Sequence, residues 1–376
     1  MKKTLLLSAV ALMASTAMAQ VSEPTLTPAW ENTTDLPGDA NARYAVGVNG
    51  KMYIPHYTNS NIVCLDKNGK TTIETGTKGW CITADEAGNL LIQTNLWGSS
   101  SNEWAILPAG KTAKADLIDL GTIASPNGTE AGSMHTVGRA IGNVMSATGG
   151  AFYVMGNKQK KITKFFIANG TVVNEKCTAI EIGGSNEYIA NSQAIVQPIN
   201  NDVNATDNVV WTIRSTANQF FKLDGTAYKE YAKTETGASC GTGGGDIITL
   251  GGVIYTIEPS GTNYSDGFVI VDRTNDKVVY TREKTKVNPF GTSVTQAYVG
   301  FEMTSATTAN IYHFSPGVVA SMYTFEVPNN DPTAIEVIEA ENAPVEYYNL
   351  QGVKVANPEK GLFIKKQGNK ATKVIM

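Results

Sequence analysis

The sequence is poor in the residue types that usually announce chemistry. Only four cysteines occur in 376 residues, Cys64, Cys81, Cys177 and Cys240, and no two form a Cys-x-x-Cys pair. A chain of this size folds without staples, so these thiols read as small buried hydrophobes, with none of three possible pairings forced by spacing. Histidine is rarer still: His56, His135 and His313 are too scattered for a His-x-x-x-His or His-Glu-x-x-His metal motif. Charged residues make up 17% of the chain, against roughly a quarter in ordinary globular proteins. Lys+Arg 30 against Asp+Glu 34 gives a net charge of −4, so the basic footprint of a nucleic-acid binder is missing. Beyond the N-terminus no apolar run approaches the ~20 residues of a spanning helix, and no transmembrane segment is expected in the mature chain.

What the chain does have is 42% hydrophobic residues and 36 glycines. That is enough apolar material for a buried core, and a composition that favours short strands and tight turns over amphipathic helices. One large domain or two smaller ones is expected.

Residues 1–19 open with Met-Lys-Lys, continue as an apolar run from Leu5 to Met13 and end in Ala17-Met18-Ala19. A positive start, a short apolar stretch and an Ala-x-Ala site are the parts of a secretory signal peptide, with Gln20 as the first mature residue. The run is too short for a membrane anchor. Gln20 and Val21 stand where a lipoprotein would carry cysteine.

Six segments share one form, a turn residue followed by an apolar, aromatic-rich run: Gly50-Lys-Met-Tyr-Ile54, Gly88-Asn-Leu-Leu-Ile92, Gly150-Ala-Phe-Tyr-Val154, Asn208-Val-Val-Trp-Thr-Ile213, Gly252-Val-Ile-Tyr-Thr-Ile257 and Asn310-Ile-Tyr-His-Phe314. They recur 38 to 62 residues apart. Short apolar runs precede them, as in Tyr44–Val48, Trp80–Ala84, Ile247–Leu250 and Ala297–Phe301, and others follow, as in Ile62–Asp66, Phe165–Ala168, Phe220–Asp224 and Phe268–Asp272. Three or four short strands per unit of about fifty residues, punctuated by Gly and Asn turns, is the signature of a β-propeller blade. The expected fold is all-β: a six-bladed β-propeller over residues 20–328, a linker at 329–343 and a small C-terminal β-module at 344–376. The last unit ends at Met322–Val327 without a fourth strand, and Leu26–Thr33 is an unassigned strand. That strand is expected to complete the last blade and close the ring. A pair of β-sandwiches is the rival architecture, disfavoured by six similar units.

The Gly-Asn-Leu-Leu-Ile turn and the strands ending in Asp-x-x-Gly resemble the six-bladed propellers of the NHL and gluconolactonase-like groups and propellers secreted by Bacteroidota. After the Pro and acidic linker, Tyr348-Asn-Leu-Gln-Gly352, Gly361-Leu-Phe-Ile364 and Lys373-Val-Ile375 follow in order. This closely resembles the C-terminal sorting domain of type IX secretion cargo in Bacteroidota. The resemblance implies delivery to the cell surface or medium of a Gram-negative bacterium, with the secretion machinery as a partner and the periplasm as the alternative location. An appended hairpin without a sorting role is the other reading of this segment. Residues 344–376 carry six Lys and two Glu, the signal carries two Lys, and the body from 20 to 343 is left with −10 of the total of −4. Such asymmetry suits a separate module with a different partner.

Catalytic motifs are weak. Gly237-Ala-Ser239-Cys-Gly241 matches Gly-x-Ser-x-Gly, but Thr242-Gly-Gly-Gly245 follows where the nucleophile elbow needs a helix, so a Gly-rich loop is expected. Gly110-Lys111-Thr112 lacks the first glycine of a P-loop and reads as a turn. Asp202-Val-Asn204-Ala-Thr-Asp207 lacks the Gly and final Glu of an EF-hand loop and reads as a solvated insertion. Trp80, Trp97 and Trp104 cluster in the second unit, with inter-blade packing expected ahead of sugar stacking.

Propellers bind ligands at the central mouth, where the innermost strand of each blade begins. The polar or aromatic residues at those starts are Arg43, Trp80, Arg139, Gln193, Asp246 and Gln296. Gluconolactonase-like enzymes place a calcium site there. Here Arg43 and Arg139 replace oxygen donors and Asp246 is the one acid, which suits an anionic or sugar-like ligand better. The expectation is a secreted, non-catalytic propeller without a cofactor, binding a glycan, a small anionic molecule or a protein at its mouth. The alternative is a calcium-dependent lactonase-like or carbohydrate-cleaving propeller enzyme.

Overall fold

A computed structural model describes residues 22–37, 44–95, 102–124, 126, 134–156, 161–181, 195–199, 201–205, 209–213, 219–223, 228–231, 245–260, 266–283, 298–329, 345–349, 353–355, 358, 360–367 and 370–375. The signal segment therefore lies outside the described residues. Apart from single turns of 3₁₀ helix, the described elements are strands. β1 (Thr25–Asn32) comes first. β2 (Val46–Val48), β3 (Lys51–His56), β4 (Asn61–Asp66) and β5 (Gly69–Glu74) form one antiparallel meander, and β6 (Ile82–Ala84), β7 (Leu90–Gln93), β8 (Glu103–Leu107) and β9 (Ile118–Thr122) form the next. In the third sheet both edges are broken. β10 (Met134–Val137) and β11 (Ile141–Asn143) share one flank of β12 (Gly149–Gly156), while β14 (Thr171–Val172) and β15 (Thr178–Glu181) share the outer flank of β13 (Lys161–Ala168). The fourth sheet is β16 (Ile195–Pro198), β17 (Val209–Ile213), β18 (Gln219–Leu223) and β19 (Tyr228–Tyr231), and the fifth is β20 (Asp246–Leu250), β21 (Val253–Ser260), β22 (Gly267–Asp272) and β23 (Lys277–Arg282). The sixth runs β24 (Tyr298–Met303), β25 (Thr308–Ser315), β26 (Val319–Glu326) and then β1.

All six apolar segments singled out in the sequence fall on second strands: β3, β7, β12, β17, β21 and β25. The reason is burial on both faces, which makes a strand read as a continuous hydrophobic run. Met52 and Ile54 of β3, Leu91 and Ile92 of β7, and Ile311, Tyr312 and Phe314 of β25 are at most 1% exposed. Outer strands are polar instead: in β5 only Ile73 is buried. Aspartates that end third strands cap the next turn. Asp66 Oδ1 accepts the Asn68 N–H at 2.7 Å, and Asp272 Oδ1 accepts those of Thr274 and Asn275 at 2.9 and 3.0 Å.

Neighbouring sheets pack face to face. Trp104 of the second sheet lies 4.7 Å from Phe152 of the third, ring centre to ring centre, and Tyr255 of the fifth meets Phe325 of the sixth edge-on at 5.2 Å. The first strand of the second sheet reaches the third through hydrogen bonds from Ala140 N–H to Ala84 O and from Thr83 Oγ1 to Gly138 O. β2 touches both β6 and β24, and β16 touches β20, which touches β24. Cys64, Cys81 and Cys177 are free and buried, as their reading as small hydrophobes requires; Cys240 lies outside the described residues.

A further sheet near the C-terminus has the order β28-β27-β29-β30, made of β27 (Val345–Tyr348), β28 (Lys354–Val355), β29 (Leu362–Gln367) and β30 (Lys370–Ile375). On one of its faces Glu346 bridges Lys354 and the Tyr348 hydroxyl.

β1 pairs with β26 from Thr25↔Glu326 to Asn32↔Ala320, and a bulge between Pro28 and Trp30 accommodates the proline on this edge strand. Leu26 packs onto the core shared by the fifth and sixth sheets, and Trp30 onto that shared by the sixth and first. Deleting residues 20–34 removes both contacts and exposes the β26 edge. The expected loss is about 3 kcal/mol or more, read as a fall of roughly 10 °C in melting temperature. An unchanged melting temperature would show that β1 contributes nothing to closure.

Candidate functional site

The break between β10 and β11 places Gly138 and Arg139 where a ladder residue would otherwise stand. A Cβ on Gly138 would lie 1.6 Å from Val196 O, so only glycine lets this segment lie against β16. From there Arg139 reaches two other strands, β16 and β20. Its backbone N–H donates to Gln197 Oε1 at 2.7 Å, Nη2 donates to Pro198 O at 2.7 Å, and Nη1 donates to both carboxylate oxygens of Asp246 at 3.1 Å. Asp246, the first residue of β20, is 2% exposed. It also accepts its neighbour Ile247 N–H at 2.7 Å and, from the sixth sheet, Phe301 N–H at 2.8 Å. Burial pushes the Asp246 carboxyl above the usual carboxylate range, opposed by the Arg139 charge and these N–H donors.

Around this pair lies a cavity of about 390 Å³ lined by residues from the innermost strands of all six sheets. On the first and sixth sheets, Gly47 N–H donates to the Tyr298 hydroxyl at 3.3 Å. Glu302 accepts from Asn49 N–H at 2.6 Å, the Tyr312 hydroxyl at 2.6 Å and Asn310 Nδ2 at 2.9 Å. Burial raises the Tyr298 phenol. On the second sheet, Asp85 is saturated by Ala87 N–H, Asn89 N–H, Asn89 Nδ2 and Val144 N–H, all within 3.0 Å. Its neighbour Glu86 is exposed toward the cavity; desolvation raises its carboxyl, and the Gly142 N–H and the Arg139 charge oppose that rise.

Of the six residues expected at the mouth, the structure brings Arg139 and Asp246 together on the cavity wall. Trp80 is buried away from the lining, between Tyr44 and Tyr57, at ring distances of 6.2 and 5.7 Å. Arg43, Gln193 and Gln296 lie outside the described residues. Sequence reasoning missed Glu86, Gln197, Tyr298 and Glu302. The signal that would have found them is the whole inner strand and its first turn, since those line the cavity along their length.

The other motifs resolve plainly. Gly110 has φ +75° in a turn closed by Lys111 N–H to Pro108 O. In the 202–207 insertion, the carbonyls of Val203 and Ala205 bind the ammonium of the buried Lys164, whose pKa is lowered by desolvation. Ser239 and Trp97 lie outside the described residues. His56 and His313 are buried, and among the described residues no group of three His, Cys, Asp or Glu is disposed to hold a metal ion.

No family model matches the chain, and no curated protein matches it. Among solved structures, the chain is similar to a DUF4623 family protein from Bacteroides eggerthii, at a TM-score of 0.54 and 11% identity over 82% of this chain and 76% of that one. It is also similar to a protein of unknown function from Bacteroides thetaiotaomicron, at 0.49 and 12% over 81% and 76%, and to streptogramin B lyase, at 0.41 and 13% over 93% and 97%. Likeness at these identities speaks of fold alone. With its four-stranded antiparallel sheets, the chain has an all-β, propeller-type fold. No helix among the described residues is long and apolar enough to cross a membrane.

Truncation of Arg139 to Ala leaves Asp246 buried without its charge partner, with only the Ile247 and Phe301 N–H donors, at a cost of about 3 kcal/mol at neutral pH. The folded-state pKa of this carboxyl then stands further above its unfolded value. The penalty is full above the folded pKa and disappears as pH falls toward the unfolded one. The stability deficit of Arg139→Ala, measured by urea unfolding, should therefore shrink on acidification. A deficit independent of pH would mean that the charge of Asp246 is not what the arginine compensates.

Proposed function

We propose that the protein is a secreted, non-catalytic, six-bladed propeller, closed by β1, that binds a ligand in its axial cavity. The observation that carries this reading is the cavity itself: about 390 Å³, walled by six inner strands, with several polar groups converging on it. That size and mixture suit a small molecule or a sugar unit of a glycan better than a flat protein contact. A calcium ion, which the gluconolactonase-like resemblance implies, does not fit at Asp246, because both carboxylate oxygens already accept hydrogen bonds from Arg139 and from backbone N–H groups. The competing reading remains a calcium-dependent lactonase-like or carbohydrate-cleaving enzyme.

Residues 1–19 would direct export, and residues 344–376, after the linker at 329–343, would act as the sorting module that carries the propeller to the cell surface or medium of a Gram-negative bacterium. The motif resemblance and the basic charge of that segment support this assignment. Without it, the protein would stay in the periplasm.

Two measurements test these statements. A thermal-shift screen of glycans and metabolites on the chain from Gln20 onward should yield ligands whose binding is abolished by filling the cavity with Thr249→Trp. A tightly held calcium ion found by elemental analysis, together with lactone or glycoside hydrolysis, would replace the binding reading with the enzymatic one. In a host with type IX machinery, removal of residues 344–376 should leave a folded propeller that no longer leaves the cell envelope. Unchanged fractionation would reduce the segment to a structural appendage.

A further inference from the structure

We infer that the axial cavity takes a small molecule carrying a protonated amine on a hydroxylated, acceptor-rich frame, the chemistry of an amino sugar, and that it turns anions away. This rests on the reading of the cavity as a ligand site.

Charge is the first ground. Among the described lining residues one cation, Arg139, faces four carboxylates, Asp85, Glu86, Asp246 and Glu302. The charge of that cation is already paired: its Nη1 holds both oxygens of Asp246, while Nη2 donates to Pro198 O. An anion entering here meets a net negative wall without a free cation among the described residues, in a space where water screens poorly.

The carboxylates are not equivalent, which is the second ground. Asp85 is saturated by four N–H donors and Glu302 by three donors. Glu86 is exposed and lines the cavity; its carboxylate accepts the Gly142 N–H and keeps the rest of its acceptor capacity. Desolvation raises its carboxyl, so a cation placed against it is stabilised more than it would be by a fully hydrated carboxylate.

The third ground is independent of charge. Gln197 is 4% exposed, and its Oε1 is fixed as the acceptor of Arg139 N–H. That orientation assigns Nε2 as a donor, and it has no partner among the described residues. An amide donor held in a fixed orientation on a cavity wall, without a protein partner among the described residues, is open to an acceptor from outside the chain. The Tyr298 hydroxyl is similar: its oxygen accepts Gly47 N–H, and its own proton remains to be given. Two neutral donors and one available carboxylate match hydroxyl oxygens and an ammonium on one ligand.

The test is calorimetric titration of the chain from Gln20 onward with three probes of one frame: glucosamine, N-acetylglucosamine and glucuronate, at a pH where the free amine is protonated. Glucosamine should bind, N-acetylglucosamine at least about tenfold more weakly, and glucuronate not at all. Glu86→Gln should bring glucosamine down to the level of the acetylated sugar with little change in melting temperature, because the glutamine oxygen can still accept the Gly142 N–H. Equal binding of glucosamine and its acetylated form, preferential binding of glucuronate, or no binding of any of the three overturns the amine assignment. The ligand-site reading falls separately, when the broad screen finds no ligand that Thr249→Trp excludes.

Discussion

The carboxyl of Asp246 is almost wholly buried at the cavity wall, and four sheets are arranged around it. Moving a carboxylate into a protein interior costs several kcal/mol, and only close, well-directed donors offset it. Asp246 receives them from the third sheet through Arg139, from its own β20, and from the sixth sheet through Phe301 N–H. Arg139 is held in turn by the fourth sheet through Gln197 and Pro198. Any sheet that slid along the axis would lengthen one of these bonds. Apolar packing between sheets is not directional; this junction is, and it fixes how the inner strands meet. It also explains why the third sheet is broken between β10 and β11. A continuous ladder would have kept Arg139 in the sheet, whereas the gap, made possible by Gly138, turns it toward Asp246.

The repeat was legible because the second strand of each sheet is hydrophobic on both sides and follows a turn residue. Once Gly50, Gly88 and Gly252 are seen as the same turn, the strands on either side follow from their spacing. The place of β1 was legible as well, within one residue at each end, since an unassigned strand at one terminus and a missing strand at the other solve each other. The broken edges of the third sheet were not legible. Their cause is a backbone approach between Gly138 and Val196, 58 residues apart, and no local pattern records it.

The candidate site was half legible. Listing one residue at the start of each inner strand found Arg139 and Asp246, but assumed that equivalent positions point the same way. Trp80 shows why that fails: side chains alternate along a strand, and a shift of one position sends a residue into the core, here against Tyr44 and Tyr57. Residue types also do not reveal partners. An arginine at a mouth suggests an anion until a buried carboxylate more than a hundred residues away is found bonded to it. The same lesson applies to the 202–207 insertion, whose carbonyls face a cation supplied by Lys164 of the neighbouring sheet.

These pairings divide the cavity wall into groups that hold the fold and groups with donors or acceptors still open. Asp246, Asp85 and Glu302 have their hydrogen-bonding capacity committed to backbone and side-chain partners on other strands or turns, and the charge of Arg139 is paired with Asp246. A ligand that competed for them would have to weaken contacts between sheets, and its affinity would be reduced by that cost. The Nε2 of Gln197 and the proton of Tyr298 carry no such commitment, and Glu86 is held by the Gly142 N–H alone, so a molecule that met these groups would not have to break contacts between sheets. A wall built from satisfied charges, with a few open groups held at fixed positions upon it by hydrogen bonds to neighbouring strands, has its donors and acceptor in place in advance, so little ordering entropy would be left to lose if they were engaged.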